Sequence, residues 1–434
     1  MKNFTVFLIV VFLSANFLNA QSLYFPPLTG TMWDSIDPQS IGWCQPRIDS
    51  LYNYLQAKNT RSFIIVKDGK IVLEKYFGTY TSDSAFYWAS ASKSLSSFIT
   101  GLAQQKGYIN INSKVSNYIG NGWTSAPQAK EDLITVKHLI EMTSGLDDGP
   151  PSPCDNEDTA KSCLIYKADA GTRWAYHTGA YKKSHDVVSA SIGQTYNAIT
   201  TNWIKQKTGM TGSWFQQVYY SNARSMARFG LLNLNKGIWA GDTLMKDSLY
   251  FKAMTNTSQS FNLSYGYLWW LNGKSTFMNP GLQLVLNGPL VPNAPSDMYA
   301  ALGKNDQKIY IVPSTKMVVI RQGNSAEGVT FALSNFDNKL WDYINKLNCV
   351  TTSIQKNSLS AEKILVYPNP AKGSLFIKTD LKLKNITLTN LLGEKIQVTV
   401  NDGVIDISGY KKGLYFVTFT SFENTSLVKK ILVD

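Results

Sequence analysis

The stretch from Thr351 to Glu362 most limits what this chain can become. It is polar, serine-rich and without hydrophobic periodicity, and it separates two segments of different character. After it, residues 364–434 alternate apolar and polar side chains in short runs: Leu375 to Ile377, Ile386 to Leu388, Ile396 to Val398 and Gly413 to Thr418. Turn signals at Pro368-Asn369-Pro370, Leu392-Gly393-Glu394 and Asn401-Asp402-Gly403 separate these runs. This pattern predicts a small all-β sandwich, and without cysteine or histidine it offers little chemistry. Residues 351–363 are therefore expected to link it to a larger domain spanning 21–350.

The larger segment mixes both periodicities. Ser62 to Tyr76 reads as a hairpin turning at Asp68-Gly69, and Lys308 to Pro313 with Lys316 to Arg321 reads as another. Helical spacing covers Ser94 to Gln105, Val136 to Met142, His185 to Lys207, Ala223 to Leu234 and about Phe331 to Leu347. Strands at both ends with helices between predict an α/β (α+β) domain, its antiparallel sheet assembled from the termini beside a helical lobe. At 44% hydrophobic, the 434 residues can fill such a core.

Met1 to Ala20 has a lysine at position 2, an apolar run from Val6 to Leu13 and a small-residue end, as a secretory signal peptide does. No later run approaches membrane-spanning length. Four cysteines suit an oxidising compartment, and the expected pairs are Cys154 with Cys163 and Cys44 with Cys349, out of three connectivities. No Cys-x-x-Cys or His-x-x-x-His is present, so neither a metal nor another cofactor is expected. The net charge of +12 is spread without a basic run among aromatics, which argues against nucleic acid. A monomer is expected.

Ser90 and Lys93 carry the clearest chemical signal. Three residues apart at a helix start, they can share a face, and an amine can activate a serine hydroxyl. The same Ser-x-x-Lys spacing recurs at Ser353, Ser360 and Ser426, so spacing alone decides nothing. Context does: Tyr87-Trp88 precede Ser90, and Leu95, Phe98, Ile99 and Leu102 follow at helical intervals. Further elements are Gly171-Thr172-Arg173-Trp174-Ala175-Tyr176-His177-Thr178, whose Tyr176 could act as a partial phenolate, and Gly303-Lys304-Asn305-Asp306-Gln307 ahead of the late strands.

In that order, with His138 to Leu146, Ala223 to Gly230 and Tyr265 to Trp270, these elements make residues 45–348 resemble the serine β-lactamase and penicillin-binding-protein superfamily, notably its class C-like esterase branch. The resemblance implies Ser90 as the acylated nucleophile and Lys93 with Tyr176 as the proton-handling pair. It implies an oxyanion hole of the Ser90 and Gln307 N–H groups, with Lys304, Asn305 and Thr178 facing substrate. Thr178 stands where the family places an asparagine that holds a substrate amide. Asp306 stands where it has a small glycine, and is expected to narrow the site or alter its charge. Tyr220-Ser221-Asn222 matches Tyr-x-Asn literally but directly precedes a helix where the family has no such tyrosine. The three histidines are expected to be structural, and no Gly-x-Ser-x-Gly elbow accompanies them.

The implied activity is hydrolysis of small esters or short peptide-like amides. The alternatives are a D-Ala-D-Ala carboxypeptidase or β-lactamase, and an inactive surface binding protein of the same fold. Tyr367-Pro368-Asn369-Pro370, Gly413-Leu414-Tyr415 and Lys429 to Leu432 resemble the C-terminal sorting domain of type IX secretion. That resemblance implies the secretion machinery as a partner and a final place at the cell surface or outside the cell, reached through the periplasm.

Overall fold

A computed structural model describes residues 23–328, 333–349, 364–422 and 426–434. The expected signal peptide and the linker lie outside them. The chain divides into two compact units, Met1–Cys349 and Val350–Asp434.

In the first unit, Asp68 and Gly69 take left-handed φ of 51° and 86°, the geometry of a two-residue hairpin turn, and join Thr60–Lys67 to Lys70–Tyr76. Met317–Gly323 pairs antiparallel with Thr60–Lys67, so the two ends of the unit meet. The six-stranded order is Lys70–Tyr76, Thr60–Lys67, Met317–Gly323, Gln307–Val312, Tyr299–Gly303 and Trp270–Leu271. Its central strands are buried along their whole length, with apolar runs at Ile309 to Val312 and Met317 to Ile320 and the buried polar residues Gln307, Lys308, Arg321 and Gln322 gathered at the other end. The helix Ala223–Leu234 packs on them, and Gly230 permits the approach: a Cβ there would lie 2.4 Å from Val318 Cγ1. The disulfide Cys44–Cys349 ties the ends of the unit together, and Cys154–Cys163 closes a short loop.

The helix expected over His185 to Lys207 is two segments. Thr178–Ile192 starts earlier and stops at Gly193, whose φ of 69° caps it, and a second helix starts at Tyr196 with Thr195 as its cap. A helical period continues through such a break because both segments bury one face.

Asp306 is not part of any open site. It is fully buried and pairs with Lys308 at 3.2 Å, while Ala326 N and Ser334 Oγ donate to its carboxylate. Lys308 also meets Asp337 at 2.8 Å, and Asp337 accepts from Tyr310. Burial alone would raise the Asp306 carboxyl, but Lys308 and those two donors hold it below the usual carboxylate range. The expectation that Asp306 narrows the site or changes its charge is corrected accordingly.

Among its described residues the second unit is all β. There, eight strands run from Ile364–Lys372 to Ser426–Val433, and Ala371 pairs in parallel with Val433. Leu375, Leu388, Ile405, Val417, Phe419 and Ile431 fill its own core.

Candidate active site

Ser90 sits on a tight turn, Ala89–Ala91, that runs into the helix Ser92–Gln105. Ala89 holds a left-handed φ of 49°, a conformation that a residue with a side chain keeps only where its surroundings enforce it. Three contacts do so. Trp88 N donates to Tyr219 O, Ser92 Oγ accepts from Tyr219 N, and Gly303 presses on the turn from the sheet. A Cβ at Gly303 would stand 2.4 Å from Trp88 O and 3.0 Å from Ala91 N, so only glycine fits.

One helical turn on, Lys93 Nζ lies 2.9 Å from Ser90 Oγ. Its stem is buried, and the nitrogen stands 5.1 Å and 4.7 Å from the ring centres of Tyr176 and Tyr181. Burial pushes its pKa down to about 7, and Glu157 opposes that fall only in part. At neutral pH a sizeable fraction of Lys93 is therefore an amine with a free lone pair, able to accept the serine proton.

Tyr176 approaches from the other side. Trp174, Tyr265 and Trp270 surround its ring, and Trp270 stacks on it at 6.1 Å. Burial raises the phenol well above the usual tyrosine range, and a hydrogen bond with Ser90 lowers it only in part. A resting phenolate is thus disfavoured. The phenol rests protonated as a hydrogen-bond donor, while Lys93 is the group of the two that holds a lone pair near neutral pH.

The loop closed by Cys154–Cys163 holds this tyrosine in place. Asn156 Nδ2 donates to Tyr176 O at 2.9 Å and to Asp148 O at 2.8 Å, while Asn156 Oδ1 accepts from Thr178 N at 2.9 Å. Gly179 lets the loop close in, since a Cβ there would lie 1.9 Å from Asp158 O. Asn156→Ala removes all three bonds and frees the main chain on both sides of His177. The expected result is a fall in kcat of about 100-fold, as a displacement near 1 Å produces. Steady-state kinetics beside a thermal melt checks this; a lower melting temperature with unchanged kcat would show that the loop only stabilises.

A cavity of about 180 Å³ opens at Ser90, lined by Tyr87, Ala89, Lys93, Glu157, Thr178, Tyr181, Lys182, Gln217, Val218 and Lys304. Larger hollows of about 330 and 460 Å³ lie elsewhere, and neither is lined by a serine bonded to a lysine. Ser90, Lys93 and Tyr176 thus come together, with Thr178 and Lys304 at the cavity wall.

Two expected site residues are not among those that line the cavity. Gln307 is fully buried; its carboxamide donates to Gly323 O and Asn305 O and accepts from Gly323 N. Asn305 reaches Tyr87 OH at 2.6 Å and does not line the cavity. Both come after Lys304, which opens the kinked turn Lys304–Asp306, with φ of 58° and 61° at Asn305 and Asp306, and of this turn Lys304 lines the cavity. Glu157, Lys182 and Gln217 line the cavity without having been singled out from sequence. They sit on a disulfide loop, a helix flank and a hairpin tip that only tertiary packing brings together.

The histidines stand apart. His185 bonds Ser96 and Tyr181, His138 caps its own helix with Thr135, and His177 Nδ1 caps the helix Thr178–Ile192. Tyr220 is half exposed on the hairpin, and Asn222 caps the helix that follows.

A family profile described as beta-lactamase matches residues 55–339, and one described as a secretion system C-terminal sorting domain matches residues 365–434. No curated protein matches the chain. Among solved structures, a class C β-lactamase superposes with a TM-score of 0.53 at 14% identity, covering 70% of this chain and 96% of its own. A penicillin-binding protein homologue from Caulobacter crescentus gives 0.52 at 12% identity, covering 70% and 99%. A family VIII carboxylesterase gives 0.50 at 14% identity, also covering 70% and 99%. At such identities these likenesses speak for the fold alone.

Proposed function

Since the chain belongs to the β-lactamase family of serine hydrolases and ends in a type IX sorting domain, we propose that it is an exported enzyme that hydrolyses small esters or short peptide-like amides through an acyl-enzyme on Ser90. The sorting domain marks export to the cell surface or the medium. Among the described residues no helix is long and apolar enough to cross a membrane.

The observation that carries the reading is the 2.9 Å bond between a lysine held near neutrality and a serine at the floor of an open cavity. Neutral Lys93 takes the Ser90 proton as Oγ attacks the substrate carbonyl. The oxyanion is held by the Ser90 N–H and, in place of Gln307, by the N–H of Lys304, which follows the glycine pressed against the turn. The proton passes through Tyr176 to the leaving oxygen or nitrogen as its bond to carbonyl carbon breaks. Water, deprotonated by the same pair, then releases the acid and restores Ser90.

Treating the exported chain with a fluorophosphonate tests this. One adduct per chain, placed on Ser90 by fragmentation of the labelled peptide, is expected. No adduct on folded protein would favour a binding protein of the same fold.

A further inference from the structure

Among the residues lining the cavity, Gln217 is held in the least natural way. It forms, with Gln216, the two-residue tip between Ser213–Phe215 and Val218–Ser221, where Phe215 pairs with Val218. Both glutamines take left-handed φ, 46° and 61°. Such a turn matches the twist of its strands but calls for glycine, asparagine or aspartate at its two centres. Two glutamines satisfy neither the turn nor any packing demand, since Gln216 is exposed and Gln217 only partly covered. Among the described residues the Gln217 carboxamide has no hydrogen-bond partner, and it lines the cavity at Ser90.

The hairpin is rigidly joined to the nucleophile. Val218–Ser221 pairs with Phe86–Tyr87, the strand that leads into Ser90, and Tyr219 is bonded at both its N–H and C=O to the turn around Ser90. A side chain on this tip therefore keeps a fixed offset from Ser90 Oγ. A carboxamide offers one acceptor and two donors, which complements a secondary amide. Thr178, also on the wall, supplies a single hydroxyl, and among the wall residues Gln217 is the carboxamide, with its acceptor and donors side by side in one plane.

We infer that Gln217 determines specificity by hydrogen bonding an amide in the acyl portion of the substrate, the part that stays on Ser90 through both chemical steps. This rests on the acyl-enzyme reading above. The substrate class it defines is a short N-acylated amino-acid ester or amide rather than a plain alkanoyl ester.

The experiment compares two p-nitrophenyl esters of equal acyl length on the full exported chain, the N-acetylglycinate and the pentanoate, which differ in the amide. The parent is expected to favour the acetylglycinate in kcat/KM. In Gln217→Ala that preference falls about tenfold, the worth of one hydrogen bond in a partly dry site. Gln217→Gly loses the same preference while its melting temperature rises, because glycine accepts the left-handed φ without strain. The rise shows that lost selectivity is not damage to the fold. A preference ratio unmoved in both variants overturns the assignment. If the acyl-enzyme reading itself fails, neither ester is turned over by a Ser90-dependent route in the parent, a result the ratio cannot mimic, and the assignment falls with it.

Discussion

Replacing Lys93 by methionine is expected to lower kcat/KM by about 10²- to 10⁴-fold, the worth of a general base, and at the same time to make the protein more stable. Both effects follow from burial. The lysine ammonium loses its hydration inside the ring of Tyr176 and Tyr181, and the folded-state pKa drops to about 7 from its ordinary value near 10.5. The folded chain therefore binds a proton less readily than the unfolded chain, and stability rises with pH between the two values. Below pH 7 both states carry the proton and the full cost is present, on the order of 5 kcal/mol. Methionine, of similar length and uncharged, escapes that cost. The variant's advantage in denaturant unfolding should be largest at pH 6, shrink above pH 7 and be gone above pH 10.5. Equal stability at pH 6 would sink the account. The parent enzyme should show the matching kinetic limb, with kcat/KM falling below about pH 7 as Lys93 gains its proton.

Asp306→Asn is expected to cost about 3 kcal/mol of stability while leaving turnover at moderate temperature nearly intact. The carboxylate belongs to a closed group of two acids and two bases, Asp306 and Asp337 with Lys308 and Arg321, all fully buried. Arg321 donates to Asp306 O, Asn305 O, Lys58 O and Asn324 O, so its charge is shared with main-chain carbonyls. Asparagine keeps the shape and accepts a left-handed φ, but leaves one cation in excess in a dry interior, the costly way to break such a group. The loss should appear as a drop of roughly 5 °C in melting temperature. Because the folded Asp306 carboxyl is held below its ordinary range, its contribution is present above pH 4 and fades as the pH falls through the folded value. The parent's advantage over the variant should therefore shrink in acid. A large loss of kcat/KM with normal stability would instead return Asp306 to the site.

The contrast between Asp306 and Lys93 shows where sequence reasoning holds. Ser90 and Lys93 are three residues apart on one helical turn, so their meeting is a local matter and legible in the spacing. The Asp68-Gly69 hairpin, the helix over Ala223 to Leu234, the two disulfides and the alternation beyond residue 364 are equally short-range or compositional signals, and each stands in the structure as expected. Gln307, expected to supply the second oxyanion N–H, does not line the cavity, and the stretch from Gly303 to it contains a kinked turn whose left-handed residues are not glycines. No local pattern marks such a turn.

What the chain's own order of residues determined is the set of elements and the pairing of the Ser90 hydroxyl with the Lys93 amine. What only the tertiary structure decided is the chemical state of those groups and their surroundings. Lys93 is held near neutrality because burial against Tyr176 and Tyr181 removes its water. Asp306 becomes inert because Lys308 and Ser334 close over it, and Gln217 and Glu157 reach the cavity from loops well over a hundred and nearly seventy positions from Ser90 respectively. Solvation and charge depend on what surrounds a group in space, and sequence spacing reports that only over the length of one helical turn or one hairpin.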